Sequence, residues 1–142
     1  MSRPMSEGRR PKVLLVDDDE ETCALLRSVL EDEGIEVVAT ALNGLEALER
    51  VDSLQPEVVL MDLRMPRMDG FQATRFIKER HSWMQVVILT FYDDLLPDRS
   101  PAEVGAFAYL VKGCSPKLMR DVIFKAWRVA LETRWSRAAG SA

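Results

Sequence analysis

Four short apolar runs, each rich in β-branched residues and each followed by a stretch of helical spacing, restrict what this chain can fold into. Val13-Leu14-Leu15-Val16, Glu36-Val37-Val38-Ala39-Thr40, Val58-Val59-Leu60-Met61 and Val86-Val87-Ile88-Leu89-Thr90 have the continuous apolar character of parallel strands buried on both faces. Phe107 to Val111 is a fifth candidate. Between the runs, Leu25, Leu26, Val29 and Leu30, then Leu45 and Leu48, then Phe71, Phe76 and Ile77 recur at helical intervals. Leu118, Met119, Val122, Ile123 and Ala126 close the series. Asn43 and Asp69 suit helix N-caps, and Ser115-Pro116 puts proline at a first helical position. Gly34 stands where the first helix would end in a left-handed residue.

Alternating strands and helices with short connections require right-handed crossovers, and therefore a mostly parallel sheet covered by helices on both faces. The predicted class is α/β, a flavodoxin-like (βα)5 doubly wound sheet of strand order 2-1-3-4-5. Residues 12–131 make this domain, residues 1–11 a flexible basic tail, and residues 132–142 a C-terminal helix extension and tail.

Charge narrows the class further. The chain of 142 residues carries a net −4, and removing the +2 of residues 1–11 and the +1 of residues 132–142 leaves the body at −7. Five acids, Asp17 to Glu21, are consecutive. So acidic a body argues against broad contact with a nucleic-acid backbone. No apolar run approaches the roughly 20 residues of a membrane span, and Met1 to Arg10 lacks the apolar core of an export signal, so a cytoplasmic protein is expected. Cys23 and Cys114 lie far apart without CxxC spacing, which suits space-filling rather than a disulfide or zinc site.

In doubly wound sheets, ligands bind outside the carboxyl ends of the strands. Asp17 and Asp18 end the first strand, Asp62 follows the third, Thr90 ends the fourth and Lys112 follows the fifth. Three carboxylates, a hydroxyl and an ammonium on one rim suit a hard cation such as Mg²⁺ together with a phosphoryl group. The lone His81, near the end of the third helix, offers no imidazole cluster for a softer metal.

Val16-Asp17-Asp18-Asp19, the stretch from Asp62 through Pro66 to Asp69-Gly70, Leu89-Thr90 and Tyr109-Leu110-Val111-Lys112 together resemble the motifs of the receiver domain of two-component response regulators. The turn Lys112-Gly113-Cys114-Ser115-Pro116 is most similar to receivers of the LuxR/NarL type. The resemblance implies that Asp62 is a phosphoacceptor, taking a phosphoryl group from a histidine kinase or a histidine phosphotransfer protein. It further implies that Mg²⁺ is held by Asp18, Asp62 and the backbone carbonyl of Arg64, with Asp17 acting through a coordinated water. Lys112 would pair with a phosphoryl oxygen, Thr90 would report the modification, and Tyr109 would swing between exposed and buried positions. The expected output is a change in protein–protein contacts, and no enzyme activity is expected beyond the chain's own phosphorylation and dephosphorylation.

Departures from the receiver pattern carry expectations of their own. Gly113 replaces the proline that many receivers place after the lysine. Pro97 and Pro101 interrupt the fourth helix, leaving it short or broken, with Ser100-Pro101 capping a stub to about Gly105. Arg64 and Tyr92 flank the approach of a hydrolytic water without a carboxylate or amide to orient it, which predicts slow self-dephosphorylation.

Plainer readings stand beside these. Glu20 and Glu21 suit a solvated helix start, His81 a surface position, and Met61, Met65 and Met68 packing around the third strand. Trp127, Leu131 and Trp135 recur every fourth residue, either covering the sheet or forming a stripe that could pair two subunits. Among other classes, a Mg-dependent aspartate-nucleophile phosphatase fits Asp17-Asp18-Asp19 superficially, but Glu21 stands where a threonine or valine is needed. A flavodoxin phosphate loop is opposed by the five acids. A transcription factor would need an output domain, and residues 132–142 are too few for one, so the alternative is the receiver portion of a longer LuxR-type regulator.

Overall fold

The computed structural model describes residues 8–65, 68–91 and 101–140. Strands β1 (Lys12–Val16), β2 (Glu36–Ala41), β3 (Val58–Asp62), β4 (Gln85–Thr90) and β5 (Ala108–Val111) alternate with helices α1 (Glu20–Asp32), α2 (Gly44–Leu54), α3 (Gly70–Arg80), α4 (Pro101–Val104) and α5 (Pro116–Gly140). The sheet is parallel throughout, in the order β2-β1-β3-β4-β5 expected for a doubly wound receiver fold.

Side-chain alternation along the strands divides the interior into two cores. Leu14 and Val16 pack with Ala47, Val51, Ala73 and Ile77 of α2 and α3, whereas Val13 and Leu15 pack with Leu30 of α1 and Ile123, Ala126 and Trp127 of α5. β1 and β3 are therefore buried on both faces, as their unbroken apolar runs require.

Helix ends follow local chemistry. Asn43 and Asp69 accept from Glu46 and Gln72 backbone N–H groups, and Gln72 completes a capping box with Asp69. Ser115 Oγ accepts from Leu118 N at the start of α5. Gly34 follows α1 at φ 82°, and Gly105 follows α4 at φ 84°. Pro97 and Ser100 lie outside the described residues. The stub expected to run to about Gly105 is present from Pro101.

Several of the apolar positions that recur at helical intervals are exposed. Leu25, Leu45, Phe76 and Leu118 face solvent. Consecutive helical residues point about 100° apart, so in the pairs Leu25/Leu26, Phe76/Ile77 and Leu118/Met119 only one member can face the sheet. In each pair the second member packs inward. His81, expected at the surface, caps α3 instead, and its side chain is mostly buried with Nε2 2.8 Å from Asp52 Oδ1. Of the two readings of the α5 stripe, the plainer one holds for its first two residues. Trp127 and Leu131 are core residues and Trp135 is half-buried, so the first two offer no free pairing surface.

Candidate functional site

Register brings the rim together. Val16 pairs with Met61, so Asp17 and Asp62 emerge side by side beyond adjacent strands. Asp62 lies opposite Leu89 and Thr90 opposite Val111, which sets Thr90 and Lys112 on the same edge. Lys112 N donates to Thr90 O at 2.7 Å, fixing the backbone from which the lysine side chain leaves.

Lys112 Nζ bridges the two inner carboxylates, 3.1 Å from Asp17 Oδ2 and 3.2 Å from Asp62 Oδ1. Asp17 and Asp62 are only 3% and 6% exposed. Asp18 is exposed and completes a group in which one carboxylate oxygen per residue lies within 4.8 Å of the others. Burial, then the charge of Asp17, holds the Asp62 carboxyl above the usual carboxylate range against the pull of Lys112. Burial alone would lower the Lys112 ammonium, but its hydrogen bond to Asp17 and the charges of Asp62 and Asp17 outweigh that and hold it above its ordinary value.

The run of acids divides its work. Asp17 Oδ1 accepts from Asp19 N at 3.0 Å, and Asp17 N donates to Ala41 O at 3.0 Å, anchoring the turn out of β1. Asp19 caps α1, accepting from Glu21 N and from Thr22 Oγ1 at 2.7 Å. Glu20 and Glu21 occupy the exposed first turn, as their plainer reading has it. Behind this turn the Cys23 thiol donates to Asp17 O at 3.5 Å, and burial followed by the Asp17 charge pushes it up to about 11, so it is a packing group.

Thr90 is buried at 1% exposure, and Tyr109 is half-buried with its ring edge-on to Phe71 at 6.5 Å between centroids. Arg64 is exposed. Pro66 and Tyr92 lie outside the described residues, so the expectation built on Arg64 with Tyr92 meets only half its geometry. Gly113 takes φ 93°, a conformation that suits glycine in the turn after Lys112. Phe91, which the motif reading passed over, is 60% exposed and sets its ring centroid 4.9 Å from Lys112 Nζ. Its one sequence signal was a large aromatic directly after Thr90.

The five-stranded order and the carboxylate–ammonium rim coincide with a match to the response regulator receiver domain over residues 13–124. The chain belongs to that family. This receiver is 37% identical over 116 residues to the transcriptional regulatory protein LnrK of Bacillus subtilis (strain 168), covering 81% of this chain and 51% of that protein. It is 38% identical over 133 residues to the sensor protein GacS of Pseudomonas syringae pv. syringae, covering 90% of this chain and 15% of that protein. The crystal structure of a response regulator receiver domain protein from Clostridium thermocellum is similar at TM-score 0.77 and 31% identity, over 83% of this chain and 94% of that chain. The receiver thus spans about half of one relative and a small part of the other. Those relatives are a transcriptional regulator and a sensor protein, so they do not single out the LuxR/NarL subtype. No described helix is long and apolar enough to cross a membrane.

Proposed function

We propose that this receiver is phosphorylated on Asp62 by a phosphohistidine of a histidine kinase or phosphotransfer protein, in the cytoplasm, and that the modified form changes its protein contacts. The observation that carries this is Lys112 Nζ held between the Asp17 and Asp62 carboxylates at the carboxyl edge of the sheet.

An Asp62 carboxylate oxygen attacks phosphorus as the P–N bond to the donor histidine breaks. The imidazole leaves with that electron pair, and the product is an aspartyl phosphate. The attack brings one anion onto another, so the residues around Asp62 must offset charge. Lys112 already lies within hydrogen-bond distance of Asp62 Oδ1, from which it can pass to a phosphoryl oxygen. Asp18, Asp62 and the backbone carbonyl of Arg64 are the ligands proposed for Mg²⁺, with Asp17 completing the metal site through a coordinated water. The three carboxylates, gathered within 4.8 Å, match its preference for oxygen donors. When bound, Mg²⁺ would neutralise charge between the carboxylates and the phosphoryl oxygens. Thr90 then donates its hydroxyl to a phosphoryl oxygen, and Tyr109, packed on Phe71, reads the resulting shift.

The test is incubation with acetyl phosphate and Mg²⁺ followed by intact mass. A single phosphoryl adduct on the wild type that is absent from Asp62→Ala is expected, and a wild type without an adduct would overturn the proposal. A second reading is the receiver portion of a longer transcriptional regulator, of which a LuxR-type DNA-binding regulator is one form. What supports the longer regulator is the match to the transcriptional regulatory protein LnrK, of which the chain covers 51%.

A further inference from the structure

The Lys112 ammonium has three protons to place, and the two carboxylates account for two of them. Phe91 stands beside the same ammonium. It follows Thr90 directly at the end of β4, it is 60% exposed although wholly apolar, and its ring centroid is 4.9 Å from Nζ. A cation at that distance from an aromatic ring is attracted by the ring's quadrupole. Among the described residues, the contact that this ring makes is the one with Lys112.

We propose that Phe91 is a positioning residue that latches Lys112 onto the Asp17–Asp62 pair, so that the ammonium must leave the ring before it can serve an incoming phosphoryl oxygen. This rests on the reading of Asp62 as phosphoacceptor. The ring does not touch the reacting atoms. It acts through Lys112, favouring the resting arrangement over the one that phosphorylation needs, and therefore slows modification by a small donor that brings no partner surface to displace it. An exposed cation–π contact corresponds to about a two- to fivefold effect on that rate.

The experiment compares wild type, Phe91→Leu, and protein carrying a trifluorinated phenylalanine at position 91. Fluorination withdraws charge from the ring face while nearly keeping its size. Phosphorylation by acetyl phosphate with Mg²⁺ is followed by intact mass, with Asp62→Asn as control. Both altered proteins should take up the adduct about two- to fivefold faster than wild type. A trifluorinated protein that reacts at the wild-type rate, or a slower Phe91→Leu, would overturn the latch.

A second readout needs neither donor nor metal. The Lys112 Cε protons should be shifted upfield by the ring in the NMR spectrum of wild type and return downfield in Phe91→Leu. No such change overturns the latch whatever the kinetics. If no protein forms an adduct while the shift is present, the contact is real, but the phosphoacceptor reading fails and the latch falls with it as a gate.

Discussion

The indole nitrogen of Trp127 donates to Glu57 Oε1 at 2.8 Å within the base of the sheet. The same oxygen accepts from Lys12 N at 3.1 Å, and Glu57 Oε2 lies 3.3 Å from Arg9. One carboxylate, 3% exposed, therefore ties α5 to the start of β1 at the end of the sheet away from the candidate site. Removing it leaves a buried indole N–H without a partner, which costs about 1–3 kcal/mol. Glu57→Ala should lower unfolding stability by that amount in a urea titration and leave the rate of acetyl phosphate labelling near wild type. Glu57→Gln, which keeps one acceptor, should fall between them.

How far the sequence foretold this molecule depended on whether a feature was periodic or converging. The strands were legible because β1, β3 and β4 are buried on both faces and so read as unbroken apolar runs. The rim was legible because Asp17, Asp62, Thr90 and Lys112 all sit at strand ends, where strand order alone brings them together. Glu57 was not legible. Its partner lies 70 positions away, and an acid before a strand looks like any exposed turn residue. Phe91 was hidden for a similar reason, since its meaning depends on Lys112, which reaches it only through the pairing of β4 with β5. The exposure of Leu25 and Phe76 was not legible either, because apolar character says nothing of which side of a helix a residue takes.

Gly70 links the start of α3 to the phosphoacceptor candidate by bare steric exclusion. A Cβ there would overlap the Asp62 carbonyl oxygen and lie 2.9 Å from Leu63 Cα, and both are backbone that cannot rotate away. Gly70 N also donates to Leu63 O at 2.9 Å, so the two segments are already as close as they can be. Gly70→Ala should cost about 1–3 kcal/mol by overpacking. It should also slow Asp62 labelling under conditions where the variant remains folded by circular dichroism. Labelling at the wild-type rate would show that the strand end tolerates the displacement.

Acidity at the site should oppose folding when no cation is present. An acid whose folded pKa is raised binds its proton more tightly when native, so stability falls as pH climbs from the ordinary 3.8 through the raised value of Asp62 and stays reduced at neutral pH. Lys112 acts in another window. Its stabilisation is complete below the ordinary 10.5 and is lost only as pH rises through its raised value. Asp62→Asn should therefore melt higher than wild type at pH 7 in metal-free buffer, by about 2–4 °C for each kcal/mol relieved. That advantage should shrink below pH 3.8. Millimolar Mg²⁺ should raise the wild-type midpoint more than that of the variant, and equal shifts in the two would remove Asp62 from the proposed ligand set.

The last turns of α5 hold down the connection between α3 and β4. Arg134 places its guanidinium carbon 4.3 Å from the Trp83 ring centroid, Arg137 donates to Ser82 Oγ, and Ala130 packs fully buried in the cluster that contains Trp83 and Met84. α5 continues without a break through position 131 into the helix extension expected beyond it, and Arg134 and Arg137 of that extension contact the segment before β4. A double-mutant cycle with Arg134→Leu and Trp83→Leu isolates the pair. Leucine keeps much of each side chain's apolar packing while removing the charge or the ring. Because Trp83 is nearly buried and Arg134 is exposed, the expected coupling is at the modest end for such contacts, about 0.5–1 kcal/mol by urea unfolding. Strict additivity of the two substitutions would mean that the helix extension lies against Trp83 without stabilising it.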